Sequence, residues 1–334
     1  MTIDGRDVTK LLAGLAAVVP LWAQPAAPAG GVPPGAQELY ERGEYRRAAE
    51  LAGQAAAASD AQRAELEAFR GRALLKARDW EGAAKALEQA VKLRPEQGSY
   101  HLWLGRAYGE RAARAFFLKA LGLARKTRSE FETAVRLDPG DLDARFDLMQ
   151  FYVEAGGIVG GGEDKARREA EWIARQSPRL GYSARAGIAA AKKRYEQARA
   201  ELTAATRAFP GQADTHLELG EFLLERNDAA GAESAARAGV AVAPGSRRAA
   251  FLLARALLAQ GREARRAAES LESLSAGPLG DGDPDRAEVY RWLGDARRAL
   301  GEWASARAAY AAALRLDPEC EPARRSLEGL PAGG

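Results

Sequence analysis

The stretch that decides the fold is Ala287-Glu-Val-Tyr290-Arg-Trp-Leu293-Gly294-Asp-Ala-Arg297-Arg-Ala-Leu-Gly301-Glu-Trp303-Ala-Ser-Ala306-Arg-Ala-Ala-Tyr310-Ala-Ala-Ala313-Leu-Arg-Leu-Asp-Pro318. Bulky and small residues alternate at helical spacing on both sides of Gly301, which predicts two helices joined by a turn. Gly294 and Ala306 let the helices approach closely, while Leu293, Trp303 and Tyr310 fill the space between them. Pro318 stops the second helix. One such hairpin cannot bury its apolar face alone, so copies must stack on it.

Copies occur along most of the chain. The clearest are Gly71, Leu74, Trp80-x-x-Ala83, Leu87, Ala90 and Pro95, then His101-x-x-Leu104-Gly105-x-x-Tyr108 with Phe131, Ala134 and Pro139, then His216-x-x-Leu219-Gly220-x-x-Leu223 with Ala232 and Pro244. Fainter copies start at about Gln37 (Gly43-x-Tyr45-x-x-Ala48), at Leu148 and Tyr152, at Tyr195-x-x-Ala198 and at Leu253 and Leu257. Pro95 and Pro139 are 44 positions apart, ten beyond the 34 that separate Pro210 from Pro244. The order resembles the tetratricopeptide repeat, over about residues 37–330. The resemblance implies an all-α, right-handed α-solenoid of about eight helical hairpins closed by a capping helix at Glu321–Leu330. Inserts are expected at about 110–123 and 155–164, and a loop at 275–285. Arg297 departs from the family's usual aromatic. The long third copy and Gly-rich fourth are similar to exported bacterial repeat proteins of unassigned function.

The 334 residues carry 28% charged and 47% hydrophobic side chains, a globular balance rich in helix-forming Ala, Leu, Arg and Glu. The net charge of +3, with signs interspersed, argues against nucleic acid as a partner. Leu11–Ala23 is an apolar run too short to span a bilayer and is followed by Gln24-Pro25, as in a signal peptide covering residues 1–23. Residues 24–36 read as a Pro/Ala/Gly tether. Export to a periplasm or cell envelope is therefore expected, with no integral membrane span in the mature chain.

Motifs for chemistry are sparse. His101 and His216, the only histidines, occupy a slot the repeat fills with a bulky residue, and they lie three copies apart. No HExxH or CxxC is present, and the single Cys320 has no basic cluster built around it in the sequence. Gly156-Gly-Ile-Val-Gly160-Gly-Gly162 has the glycine spacing of a phosphate loop, but Glu163 stands where lysine is required and no strand is expected before it. An inter-helix insert capped by Asp164 is the better reading. The pair Glu221 and Glu225 reads as a solvated helix face. No enzyme, metal or cofactor is expected.

The resemblance implies a concave groove lined by the first helix of each hairpin, and 3.6-residue periodicity then selects its residues. They are Arg72 and Lys76; Leu102, Arg106 and Glu110; Phe146, Gln150 and Val153; Leu217, Glu221 and Leu224; Arg248, Phe251 and Arg255; and Arg291, Asp295 and Arg298. Apolar centres flanked by basic ends, with acid between, suit an extended or helical peptide of alternating charge. The insert at Ala112–Leu123, with Phe116 and Phe117, either lengthens two packed helices or forms a contact knob. The function expected is a scaffold binding a protein or peptide in the groove. The alternative is an assembly factor of an envelope complex, of pilus or secretion type, working through its inserts or convex face.

Overall fold

The computed structural model describes residues 31–280 and 282–331. The expected leader at 1–23 and the tether as far as residue 30 lie outside the described residues. Those described form seventeen α-helices and a single 3-10 turn, with no strand among them. They are α1 (Pro34–Glu41), α2 (Tyr45–Gln54), α3 (Asp60–Lys76), α4 (Trp80–Leu93), α5 (Gly98–Arg114), α6 (Phe117–Leu137), α7 (Leu142–Glu154), α8 (Glu163–Gln176) and α9 (Pro178–Ala191). The series continues with α10 (Tyr195–Ala208), α11 (Ala213–Glu225), α12 (Ala229–Val242), α13 (Arg247–Ala259), α14 (Ala264–Ala276), α15 (Arg286–Ala299), α16 (Trp303–Leu316) and α17 (Glu321–Glu328). In chain order they make eight hairpins and a closing helix, the architecture of an α-solenoid. The first helix begins at Pro34, inside the stretch expected to be tether.

The chain falls into two compact units. One holds the described residues up to Tyr40 with Tyr45–Glu201, the other Glu41–Glu44 with the residues from Leu202 onward. Within the first unit the second helix of a hairpin packs on the first helix of the next, as α2 on α3, α4 on α5, α6 on α7 and α8 on α9. The second unit repeats this with α12 on α13, α14 on α15 and α16 on α17.

One turn explains the regularity. Arg78, Lys193, Asn227, Gly261 and Gly301 all occupy the left-handed region, with φ between 58° and 74°, seven residues after the small residue at the helix crossing. In each case the next amide reaches back to a carbonyl five residues earlier, as Asp79 N–H to Leu74 O at 2.9 Å and Asp228 N–H to Leu223 O at 2.8 Å. This Schellman closure satisfies the last carbonyls of the first helix. The second helix often starts on an aspartate, with Gly82 N–H donating to Asp79 at 2.8 Å and Gly231 N–H to Asp228 at 2.9 Å. The third and fourth hairpins, which carry the inserts, are built differently at this point.

At every crossing but that of the fourth hairpin, where Met149 stands, the residue is small because the partner helix is close. A Cβ on Gly105 would stand 2.5 Å from the Phe131 ring, and one on Gly294 would stand 2.4 Å from Tyr310. Leu87, Phe131, Phe151, Met149 and Ile173 anchor the interior of the first unit; Leu252, Leu257, Leu271, Val289 and Tyr310 anchor the second.

The third hairpin resolves both readings of its insert. Its helices are 17 and 21 residues long. Ala120, Leu123 and Ala124 are buried as packed helix, while Phe116, Phe117 and Leu118 are exposed at the tip. The Gly-rich insert holds a 3-10 turn, Gly157–Val159, closed by left-handed Gly160 at φ 86°. Arg128 donates to Val159 O at 3.0 Å and Lys165 to Gly160 O at 2.8 Å, so carbonyls of this loop are taken up by cationic side chains. The expected cap at Asp164 is corrected: Gly162 occupies the N-cap of α8 with no side-chain bond, and Asp164 is the second helical residue.

Candidate functional site

Residues on the first helices are best compared by their place relative to the crossing residue (Gly71, Gly105, Met149, Gly220, Ala254 or Gly294). Arg72, Arg106 and Arg255 each follow it by one position. Each of them reaches the residue two before the crossing in the next hairpin. The Arg72 guanidinium lies 5.2 Å from the Trp103 ring centre and 5.9 Å from that of Tyr40. Arg106 pairs with Asp147 at 2.5 Å and stacks 4.4 Å over Trp103. Arg255 lies 5.6 Å from Trp292 and pairs with Glu221 at 2.7 Å. Trp103, Asp147 and Trp292 were missed by sequence reasoning; they sit one hairpin after Arg72, Arg106 and Arg255, the arginines that reach them.

The basic ends expected of the groove are therefore largely neutralised from within. Arg248 pairs with Asp214 at 3.0 Å, and Arg291 with Glu288 at 2.8 Å and Asp295 at 3.1 Å. Asp295 also accepts from the Tyr310 hydroxyl at 2.7 Å. Arg298 stays exposed, 3.6 Å from Asp295. Around the buried Arg106–Asp147 pair, desolvation opposes both charges. The Asp147 carboxyl ends above its ordinary range because burial outweighs its arginine. For the Arg106 guanidinium burial pulls the other way, but the aspartates beside it hold it above its ordinary value.

Five expected lining residues are corrected. Leu102, Phe146, Val153, Leu217 and Phe251 are at most 8% exposed and belong to the core. The periodicity that selected them also fits the flank of the interior stripe, where a leucine packs sideways on the next hairpin. Lys76, Gln150 and Leu224 are partly exposed on α3, α7 and α11.

Beside Lys76 on α3 and the exposed Arg298, the charge that remains on the face is acidic. Five positions after the crossing residue, the slot of Lys76, stand Glu110, Glu154 and Glu225, and each carboxyl is raised above its ordinary range. For Glu110, burial raises it against the pull of Arg114, 2.6 Å away. For Glu225, the most exposed of the three, partial burial acts together with the Glu221 carboxylate. Glu154 is pushed up to about 7 by burial, although Gln150 donates to it. Its second oxygen is buried and makes no hydrogen bond. Glu154 and Glu225 are the last residues of their helices, where the macrodipole disfavours negative charge. Sequence reasoning placed Glu110 in the groove, read Glu225 only as part of a solvated helix face and missed Glu154.

The two histidines do more than fill space. His101 Nε2 meets Pro95 O at 2.9 Å and His216 Nε2 meets Pro210 O at 3.0 Å. Arg145, in the same slot, donates to Pro139 O at 3.0 Å. The slot four before the crossing thus ties three first helices, α5, α7 and α11, to the closing proline of the preceding hairpin. His101 Nδ1 also lies 2.6 Å from Glu130. Burial pulls this imidazolium down, but Glu130 and the Pro95 carbonyl more than offset it, leaving the group above its usual value. Arg297, where an aromatic was expected, bonds Glu272 on the preceding second helix, as Tyr108 does Glu88 at 2.7 Å and Tyr152 does Glu132 at 2.9 Å. Cys320 is buried at the N-cap of α17, and burial raises its thiol. No group of three or more His, Cys, Asp or Glu able to hold a metal occurs among the described residues.

Comparison with known proteins follows the same lines. No curated protein matches the sequence. In the solved structures, yeast Tom70 superposes with a TM-score of 0.60 at 14% identity, over 96% of this chain and 68% of its own. A tetratricopeptide repeat protein of Parabacteroides merdae gives 0.45 at 14% identity, over 80% and 98%. The Cut9–Hcn1 hetero-tetramer gives 0.45 at 15%, over 88% of this chain and only 54% of that one. At such identities the likeness shows fold alone. Family models described as tetratricopeptide repeat match residues 70–126, 183–247 and 287–320, in both units and over the hairpins whose crossing glycines were located above. With helix pairing, left-handed turns and closing prolines in the same register, the chain is a tetratricopeptide repeat protein.

Proposed function

We propose that the chain is a non-enzymatic scaffold that holds a protein partner on its first-helix face, meeting a basic segment of that partner at Glu154 and Glu110. Tetratricopeptide folds serve generally as protein-interaction scaffolds. The observation that carries the finer reading is Glu154: a carboxyl raised to about 7 by burial, with an oxygen left without a hydrogen bond, at the unfavourable end of α7. A lysine or arginine from outside would supply both the missing donor and the missing charge. The arginines of this face are occupied by their own acids and rings, so an acidic partner would have to displace existing pairs. With the leader expected at residues 1–23, the encounter is placed in a periplasm or cell envelope.

The test is titration of the full chain with labelled peptides that alternate lysine or glutamate with apolar residues. The lysine peptide should bind, more tightly as pH rises through 7 and Glu154 ionises. Glu154→Gln should weaken it about tenfold, a loss of about 1.4 kcal/mol, with helicity unchanged. Equal binding of the glutamate peptide, or unchanged affinity in the variant, overturns the reading.

A further inference from the structure

The tip of the α5–α6 hairpin has no role in the first-helix face, and its chemistry is unlike that of the other turns. Phe116 is 94% exposed, Leu118 80% and Phe117 43%. A solvent-facing turn gains nothing from three consecutive large apolar residues; five of the other hairpin turns are built on Arg78, Lys193, Asn227, Gly261 and Gly301, and the fourth hairpin's turn exposes Ile158. Three basic residues near the tip are paired, Arg111 with Glu81 at 2.7 Å, Arg114 with Glu110 at 2.6 Å and Arg128 with Glu132 at 3.6 Å. Lys119, Arg125 and Lys126 have no acidic partner among the described residues. Between Glu110 and Glu130 the chain carries Arg111, Arg114, Lys119, Arg125, Lys126 and Arg128 and no acidic residue. Lys119 and Arg125 are exposed. Arg114 lies 4.5 Å over Trp80, which holds its stem against the hairpin next to the tip.

We propose that this tip is a peripheral membrane anchor that docks on an anionic bilayer surface. Phe116 and Leu118 enter the boundary between headgroups and acyl chains, and Lys119, Arg125 and their neighbours lie among lipid phosphates. No helix among the described residues is long and apolar enough to cross a membrane, so the attachment is a shallow one. Apolar insertion needs a bilayer, and the exposed positive charges of Lys119, Arg125 and Lys126 select a negatively charged one. The buried part of the insert, Ala120, Leu123 and Ala124, fixes the wedge on a rigid two-helix arm.

The test is co-sedimentation of the full chain with vesicles of phosphatidylcholine alone and with phosphatidylglycerol added. The chain should bind the anionic vesicles at about 0.1 M salt and lose most of that binding at about 1 M salt, as expected of a contact steered by screened charge. Phe116→Asp with Leu118→Asp should lower binding about tenfold or more, and Lys119→Glu with Arg125→Glu should remove the preference for anionic lipid. Both pairs are exposed, so helicity should be unaffected; a Phe116→Trp variant should be quenched by lipids brominated in the acyl chain. No vesicle binding, or binding that survives the aspartate pair, overturns the proposal. A self-association or capture of an acidic protein that is lost in the aspartate pair, without any vesicle binding, also overturns it and gives the tip to a protein instead.

Discussion

At the left-handed turn shared by five of the hairpins, one side chain decides a measurable fraction of stability. Lys193 holds φ 58° where a Cβ crowds the following carbonyl, whereas Gly301 holds φ 74° without that cost. Nothing lies within 4 Å of a Cβ placed on Gly301, so its substitution would be felt through the backbone alone. Lys193→Gly should stabilise and Gly301→Ala destabilise, each by about 1 kcal/mol in urea unfolding, with unchanged slope. Glu154 gives a second residue-scale test with a definite sign. Its folded pKa, about 7, lies above the ordinary glutamate value. The unfolded state therefore ionises first as pH rises, and stability is lost between those two values. Glu154→Gln should leave stability at pH 4 nearly unchanged and raise it at pH 8 by about 1–3 kcal/mol. A variant equally stable with wild type at pH 8 would show that the carboxyl is solvated.

Single helices are held in place by slots that propensity does not mark. The position four before the crossing looked like a site for bulk, since His101 and His216 stand where the repeat places large residues. Their ring nitrogens instead bond the carbonyls of Pro95 and Pro210, and Arg145 does the same for Pro139. Size and hydrogen-bonding capacity coincide in histidine, so sequence alone could not separate them. Replacement distinguishes the two roles. His101→Phe keeps the volume and removes both the Pro95 and Glu130 contacts, and should cost about 1–2 kcal/mol. Because the folded imidazolium is raised, its contribution is complete below the ordinary histidine pKa and is lost as pH climbs through the folded value. The difference between wild type and variant should therefore be larger at pH 6 than at pH 9. A constant difference would return the slot to packing alone. The same lesson applies to Arg297, whose bond to Glu272 replaces the tyrosine–glutamate bond of the third and fourth hairpins.

Across the molecule, the repeat was legible because sterics write it: glycine where Phe131 or Tyr310 comes close, proline where a second helix must end. The stacked hairpins could be read from those marks. The lining of the first-helix face was only half legible. Periodicity places Arg106 and Leu102 on neighbouring stripes, but only packing shows that Leu102 is core and that Arg106 is committed to Asp147, 41 residues away. Glu154 was hidden because burial, not spacing, sets its chemistry. Stacked hairpins also determine how damage spreads. Leu271 on α14 is fully buried, packed with Leu274, Val289 and Leu293 of the second unit. Leu271→Ala should cost about 2–5 kcal/mol through lost contacts and the cavity left behind. In a solenoid each hairpin is stabilised by its immediate neighbours, so the loss should be local. Native-state amide exchange should speed up in α13–α16 and stay at wild-type rates in α3–α6, which lie several hairpins away. Uniform acceleration over both sets would mean that the chain opens as one cooperative body, and nearest-neighbour stacking would no longer describe it.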